Sequence, residues 1–408
     1  MIAQRHVLRC LLGKMVWVGV MLALPLFLFA QNSGPADSPA VSSSNDLDSK
    51  AWWKGITADG FLSLSYTYNT NNPAPGVNQF RVFDFNDDDP QLDVAQLVIQ
   101  RPVSESGQFG FRLNLMAGSG VPEITASYGL FRDTGTGVAH HFDIPEFYVT
   151  YVVPAGKGLR LDAGKFVTHL GYEVIGGYNG YNDNFSRGFI FGYGIPFAHT
   201  GVKATYPFSS RISGTLLLTN GCDAVTRLNG GVTFGGQLAV VTSKTTNLTF
   251  NFLHGPEQPH NANDQRSVYE LTGAWKMVPR FSLGIDGLYA DEDHAARNGS
   301  DAIWKGLAGY SKYSFTKEFA LAFRGEVFAD VGGSRTGTSQ TLRGFTLTPE
   351  YVLPTNLSRL KSGFRRLDGK FVIRGEFRQD FSDRNSFRRR TGFTGRQFTT
   401  AVNLIYLF

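Results

Sequence analysis

The chain has 408 residues, a formal net charge of +5 and a mean hydropathy of −0.15, with 47 Gly, 34 Phe and 16 Tyr. So small a net charge gives no electrostatic argument for nucleic-acid binding. A chain rich in aromatics yet not hydrophobic on average is typical of strands that alternate lipid-facing apolar residues with polar ones.

The N-terminus has the layout of a secretory signal. Three basic residues precede an apolar run from Met15 to Phe29, and Ala30 follows. We therefore predict a signal peptide over residues 1–30, with a retained membrane anchor as the alternative. Its removal takes away three basic and no acidic residues, so the formal charge falls from +5 to +2.

The remaining chain has features that limit how it can be stabilised and how it can cross a membrane. Only Cys222 is left, so no intramolecular disulfide forms. Residues 31–50 are polar and rich in Ser, Pro and Asp, so we predict a flexible periplasmic lead-in over residues 31–54. Beyond Phe29 no apolar run approaches the roughly 18 residues of a membrane helix. A membrane-spanning form would have to be a closed barrel, in which all backbone groups are paired.

From Ile56 the apolar residues recur with a period of two, which predicts a strand with one apolar and one mostly polar face. Together with this first strand, similar segments predict an all-β, transmembrane, antiparallel up-and-down barrel of about 16 strands over residues 55–408. They lie near residues 92–101, 108–117, 143–153, 159–168, 201–207, 211–219, 232–242, 248–254, 268–276, 281–290, 303–314, 319–329, 342–352, 370–380 and 397–408.

The connections alternate in length, as they do in bacterial barrels with long extracellular loops and short periplasmic turns. The seventh turn, near residues 353–369, is long and breaks this pattern, so the strand count could differ by two. A soluble β-sandwich or β-solenoid is the alternative. The bulky residues of the proposed outer face and the amphipathic last strand weigh against it. That strand ends in Tyr406 and Phe408, which we interpret as the signal read by the barrel-assembly machinery.

A segment of the third loop and its flanking strands resembles the OmpL-like β-barrel porin family. The family's loop continues Ser-Arg-Ser, whereas this chain has Gly188 after Ser186 and Arg187. The resemblance implies a porin-type barrel and does not carry over a solute. The matching residues are Gly164, Lys165, Phe166, Gly171, Glu173, Asn182, Asn184, Ser186, Arg187, Pro196, Phe197, His199, Thr200 and Gly201.

Three patterns that could carry other chemistry are incomplete. Asp84, Asn86 and Asp88 have the spacing of the first half of a calcium loop, but the required Gly and final Glu are missing. No HExxH pair is present, so we predict no metal site and no cofactor. A barrel hydrolase would need a serine beside a histidine, and Ser186 with His169 or His199 is the combination that the sequence leaves open.

Charged residues recur on the face opposite the bulky apolar residues. Since an Arg near the bilayer midplane would cost about 2 to 4 kcal/mol, this face must point into the lumen. A barrel of about 16 strands is too wide to fill with side chains, so we predict a wet channel. Interior salt-bridge ladders that rigidify the wall are the alternative role for the same charges. The proposed pore-lining residues are Arg112, Arg324, Glu326, Arg374, Glu376 and Arg378.

The third loop, placed at residues 169–200, is the longest connection and is rich in aromatics and glycine. Because so much aromatic surface would not stay in water, we expect this loop to fold into the lumen as a constriction. It would bring acidic side chains opposite the arginines across a narrow gap, and a lid over the barrel mouth is the alternative. The constriction residues we propose are Glu173, Asp183, Arg187 and His199.

These observations predict an outer-membrane porin of a Gram-negative bacterium, which lets small hydrophilic solutes and ions diffuse passively and is not an enzyme. A barrel enzyme acting on lipid or peptide and a plugged structural or adhesive barrel stay open as alternatives. The expected partners are outer-membrane lipid and lipopolysaccharide, the barrel-assembly machinery, the solutes, and further copies in a homotrimer. Nucleic acid is not expected.

Overall fold

The computed structural model describes residues 55–74, 76–120, 126–175, 182–353 and 369–408. They form one closed antiparallel barrel of 16 strands, so the predicted fold class is confirmed. The strands are β1 Thr57–Asn69, β2 Gln91–Arg101, β3 Phe109–Ala117, β4 Phe142–Val153, β5 Leu159–Val167, β6 Ala198–Pro207, β7 Ile212–Thr219, β8 Thr233–Ser243, β9 Thr246–Gly255, β10 Arg266–Val278, β11 Phe281–Glu292, β12 Ala302–Ser314, β13 Phe319–Val331, β14 Gln340–Leu353, β15 Lys370–Ser382 and β18 Arg396–Leu407.

Each strand pairs with its neighbours in sequence, and β1 pairs with β18 to close the ring. In that closing pair Leu64 lies opposite Leu404, and the backbone of Phe408 exchanges both hydrogen bonds with Gly60. Closure leaves no strand edge unpaired, which is what a barrel needs in hydrocarbon, where water cannot satisfy free N–H and C=O groups.

The side chains sort to the two faces as the alternation predicts. On β1 the inward Ser63 and Ser65 are buried, whereas Leu62 and Leu64 face outward and are exposed. On the last strand Val402 and Leu404 likewise face outward. The exposed apolar side chains therefore form the belt that contacts lipid acyl chains.

The loops differ from the predicted bounds at a few points. The third outer loop, L3, ends earlier than expected, because β6 begins at Ala198 and pairs there with Val167 of β5. The last outer loop contains a small hairpin of two short strands, β16 Phe387–Arg388 and β17 Phe393–Thr394. L3 also holds one turn of π-helix at Ile190–Gly194.

Several predicted segments lie outside the described residues. They are the signal peptide (1–30), the lead-in up to residue 54 and most of the long seventh turn. Within the described ranges, no helix is long and apolar enough to cross a membrane.

The terminal aromatic generates a first prediction. The Phe408 ring lies over Gly60 and near Tyr406 at the seam where the barrel closes, with ring centroids 6.0 Å apart. Replacing Phe408 with Ser should reduce the amount of folded, heat-modifiable protein in outer membranes, because the closing strand loses its outward terminal ring. The Phe377→Ser variant, which removes an outward ring from the middle of β15, should assemble normally. Equal amounts for Phe408→Ser and wild type would contradict the prediction.

The direction of the loops generates a second prediction. Asn298 is exposed in the connection between β11 and β12, and Ala155 is exposed in the short turn between β4 and β5. In a Cys222→Ser background, Asn298→Cys should react with an impermeant maleimide on intact cells, whereas Ala155→Cys should react only after lysis. The reverse pattern would invert the orientation of the barrel.

Candidate functional site

L3, residues 168–197, folds into the lumen and is attached to the opposite wall by its backbone. The single N–H group of Gly171 donates to both carboxylate oxygens of Glu270 on β10, at 2.8 and 3.0 Å. Further along the loop, the N–H groups of Phe185 and Ser186 donate to Glu376 on β15 at 2.7 and 3.0 Å. Inward carboxylates of the wall therefore satisfy loop N–H groups that a lid over the mouth would leave to water.

The glycines of L3 permit a close approach to these carboxylates. A Cβ added at Gly188 would lie 2.8 Å from Glu326 Oε2 and 3.1 Å from Glu173 Oε2. The Gly188 N–H donates to Glu173 at 2.7 Å. Gly188, where the sequence departs from the loop of the family it resembles, therefore lies against both carboxylates.

Arg324 of β13 is the centre of the attachment. Its guanidinium contacts Glu173 Oε1 at 2.7 Å and Glu326 Oε1 at 3.2 Å, and it donates to the carbonyl oxygen of Ser186 at 2.6 Å. The side chains of Arg324 and Glu326 are fully buried. Buried charges are tolerated only when they are paired and hydrogen-bonded, so the loop and the wall depend on each other here.

Arg378 of β15 makes a second attachment beside the first. It contacts Asp380 at 2.8 Å and Glu326 at 3.5 Å, and it donates to the carbonyl oxygen of Arg187 at 2.6 Å. Its guanidinium also lies 4.8 Å from the ring centre of Phe189. A single loop segment thus covers the guanidinium groups of both arginines.

The first outer loop, residues 70–90, also enters the lumen, which we did not predict. Arg81 forms ion pairs with Asp84 in the same loop and with Asp380 of β15, the latter at 2.7 Å. Burial alone would lower the pKa of Arg81, but Asp380 and Asp84 raise it above its ordinary value. Asp84 is therefore half of an ion pair, which gives it a role other than the one a calcium loop would require.

Apolar side chains fill the space between the two loops. Phe83 of the first loop packs on Phe191 of L3 with ring centres 5.9 Å apart, and Phe191 packs on Phe197. The indole N–H of Trp304 on β12 donates to the carbonyl oxygen of Gly194 at 2.9 Å. Among the described residues of L3, Phe185, Phe189, Phe191 and Phe197 are buried inside the barrel, as the composition of the loop led us to expect.

The predicted pore-lining residues all point into the lumen, but L3 covers most of them. Arg324, Arg374 and Arg378 are at most 2% exposed, and Glu326 and Glu376 are buried with them. We predicted a narrow gap between the basic wall and the acidic loop. That prediction is wrong, because Glu173 forms an ion pair with Arg324. Arg112 on β3 differs from the others, because it is half-buried and pairs with Glu146 at 2.6 Å.

The other predicted constriction residues are scattered. Asp183 pairs with Lys312 of β12 at 2.8 Å, and not with the arginines. Arg187 stacks on Phe83 at 4.8 Å, where burial lowers its pKa to about 10. His199 lies in the wall on β6, fully buried between Thr168 and the carbonyl oxygen of Gly221.

The hydrolase combination is not brought together. The Ser186 hydroxyl accepts from Arg378 at 3.1 Å, whereas His169 contacts the carbonyl oxygen of Phe252. Burial, with His199 nearby, lowers the pKa of His169 to about 3. No group of three or more metal-ligating side chains that could hold a metal ion occurs within the described ranges.

The two faces of L3 leave very different amounts of room. On the side of β1, β2, β15 and β18, a cavity of only about 40 Å³ remains between the loop and the wall. On the other side, several inward polar side chains of β3 to β9 are half-buried and reach solvent. They include Arg112, Arg160, Lys203, Thr205, Ser213, Gln237 and Thr249.

A family model described as "Putative beta-barrel porin-2, OmpL-like" matches residues 55–408, the family that residues 164–202 resemble. No curated protein sequence matches the chain.

Solved outer-membrane channels share the fold. The channel DcaP of Acinetobacter baumannii has a TM-score of 0.53 at 9% identity, covering 86% of this chain and 97% of that one. An anion-selective porin from Comamonas acidovorans has a TM-score of 0.53 at 10% identity, covering 86% and 99%. OmpF of Salmonella typhi, in complex with daunomycin, has a TM-score of 0.53 at 12% identity, covering 86% and 97%.

The buried ion pairs generate a third prediction. Replacing Arg324 with Ala leaves Glu173 and Glu326 without their shared cation, and removing one partner of a buried pair costs about 3 to 5 kcal/mol. We expect that loss in the free energy of unfolding, measured by urea titration in phospholipid vesicles. The Arg297→Ala variant, which removes an exposed loop arginine, should change the value by no more than about 0.5 kcal/mol. Similar losses in the two variants would show that Arg324 does not hold the loop.

Proposed function

Because the chain belongs to the OmpL-like β-barrel porin-2 family and is an outer-membrane porin, we propose that its passive diffusion path runs along the β3 to β9 wall, with L3 as the constriction. The solutes would be small and hydrophilic, since polar side chains line this wall. The lumen of a 16-stranded barrel is wide enough for an aqueous path beside one inserted loop.

One observation carries the proposal. L3 is fastened to β10, β13 and β15 by buried hydrogen bonds and ion pairs, so it occupies one side of the lumen and leaves the other. The uncovered wall presents half-buried side chains such as Arg160, Lys203 and Thr205, which a packed interior would not leave in contact with water. We therefore assign the pore-lining role to this wall and not to the arginines under L3. Arg112 belongs both to the predicted pore-lining residues and to this wall.

The enzyme alternative has less support. Ser186 is fully buried, its hydroxyl accepts a hydrogen bond from an arginine, and no histidine serves as a base beside it. A serine nucleophile needs an adjacent general base and access to substrate, and Ser186 has neither. The plugged-barrel alternative is favoured by the apolar packing between the first loop and L3. Conductance in planar bilayers separates the two, because a porin conducts ions and a plugged barrel does not.

The remaining partners follow from the outer surface. The exposed apolar belt fits outer-membrane lipid, and assembly into a homotrimer stays a prediction of this proposal. Chemical cross-linking of the detergent-extracted protein before and after heating would test the trimer.

The fourth prediction tests the constriction. Deleting residues 182–188 removes the segment that lies on Arg324, Arg378 and Glu376, so the single-channel conductance in planar bilayers should rise above that of wild type. The control deletes residues 297–299, an exposed tip of another outer loop, and should leave conductance unchanged. If the shortened L3 conducts like wild type, the pore is narrowed elsewhere. If the wild type itself forms no channels, the plugged-barrel hypothesis replaces the proposed diffusion path.

A further inference from the structure

The uncovered wall carries three cations that together form a basic ladder, defined here as Arg112 on β3, Arg160 on β5 and Lys203 on β6. We propose that this ladder makes the channel prefer small anions, carboxylates and phosphates among them. This inference rests on the proposed diffusion path. The ladder lies in the periplasmic half of the lumen, since Arg160 is next to the start of β5 and Arg112 is three residues into β3.

In each ion pair of the ladder the cation is the more exposed partner. The Arg112 side chain is 17% exposed and that of its partner Glu146 is 8% exposed. Arg160 is 37% exposed and Lys203 is 22% exposed, whereas Asp162, which pairs with both, is 2% exposed. A passing ion therefore meets guanidinium and ammonium groups, while the carboxylates lie behind them against the wall.

The ladder also carries an excess of charge. The excess lies at Arg160 and Lys203, because these two cations share the single carboxylate of Asp162 at 3.0 and 3.5 Å. Charges in a confined channel are screened less than those on an open surface, so a local excess of one positive charge acts strongly on permeating ions.

Neighbouring side chains hold the ladder in place. Arg112 donates to Gln100 on β2 at 2.6 Å, and Arg160 donates to the hydroxyl of Thr150 on β4 at 3.1 Å. The Lys203 ammonium lies over the ring of Phe166 at 4.7 Å. Fixed guanidinium groups suit planar oxyanions, to which they can donate two parallel hydrogen bonds.

Elsewhere in the described lumen, the carboxylates of Glu270 and Asp286 are buried, and the exposed charges are of both signs. On the wall across the lumen, Lys312 is 21% exposed and pairs with Asp183, which is 38% exposed, and with the buried Glu350. That group contributes both signs to the path. The arginines under L3 are buried and paired with wall carboxylates, and L3 residues 176–181 carry no charged side chain.

The test is the reversal potential in a potassium chloride gradient across a planar bilayer. The wild type should show anion preference. The triple variant Arg112→Gln, Arg160→Gln, Lys203→Gln should reverse the sign toward cations, because Glu146 and Asp162 then face the path without cations. The matched control Arg343→Gln removes one positive charge from the outward face of β14 and should keep the wild-type potential.

A second variant applies the change after folding. Arg160→Cys in the Cys222→Ser background is assembled first and then treated with a cationic or an anionic methanethiosulfonate reagent. The cationic adduct should keep the anion preference, and the anionic adduct should shift the potential toward cations. Channels that conduct but prefer cations in the wild type, or that ignore both adducts, would overturn this inference and leave the diffusion path standing. Absence of any conductance would overturn both.

Discussion

Buried carboxylates on one wall of the barrel determine where L3 lies in the lumen and which side of the lumen stays open. Glu270, Glu326 and Glu376 accept hydrogen bonds from the backbone of L3, and Glu326 also pairs with Arg324 and Arg378. A carboxylate enclosed in this way must be satisfied by N–H groups or cations, since burying it alone would cost far more than one contact can return. The loop supplies those groups, and its position on one side leaves the other side open to water.

The asymmetry of the lumen follows from that attachment. Phe191 and Phe83 pack together where L3 and the first loop are both held against β15, L3 through Glu376 and the first loop through Asp380. The apolar packing inside the barrel therefore depends on the polar contacts that hold the two loops to β15. Barrel interiors of this width are usually wet, and here a part of one has been converted into a packed interface.

Much of the fold could be predicted from the sequence, because a period of two, loop lengths and the terminal Phe408 are local signals. The inward direction of Arg324 and Arg378 follows from the same alternation. Their partners could not be predicted, since Glu173 is 151 residues from Arg324 and only the closed barrel sets the register between them. Of the basic ladder, only Arg112 was among the predicted pore-lining residues, for a related reason. Which of Arg160, Asp162 and Lys203 reaches water depends on what L3 leaves uncovered, and no local pattern records that.

The contacts of the first loop have a consequence for biogenesis. Arg81 binds Asp380, which is 299 residues later in the chain, and Asn69 binds Gln397 on the final strand. During translation and transport across the periplasm, this loop has none of these partners until the C-terminal strands join the growing wall. The contacts with Asp380 and Gln397 require β15 and the final strand to be in place, so this part of the interior is completed no earlier than the seam between β1 and β18.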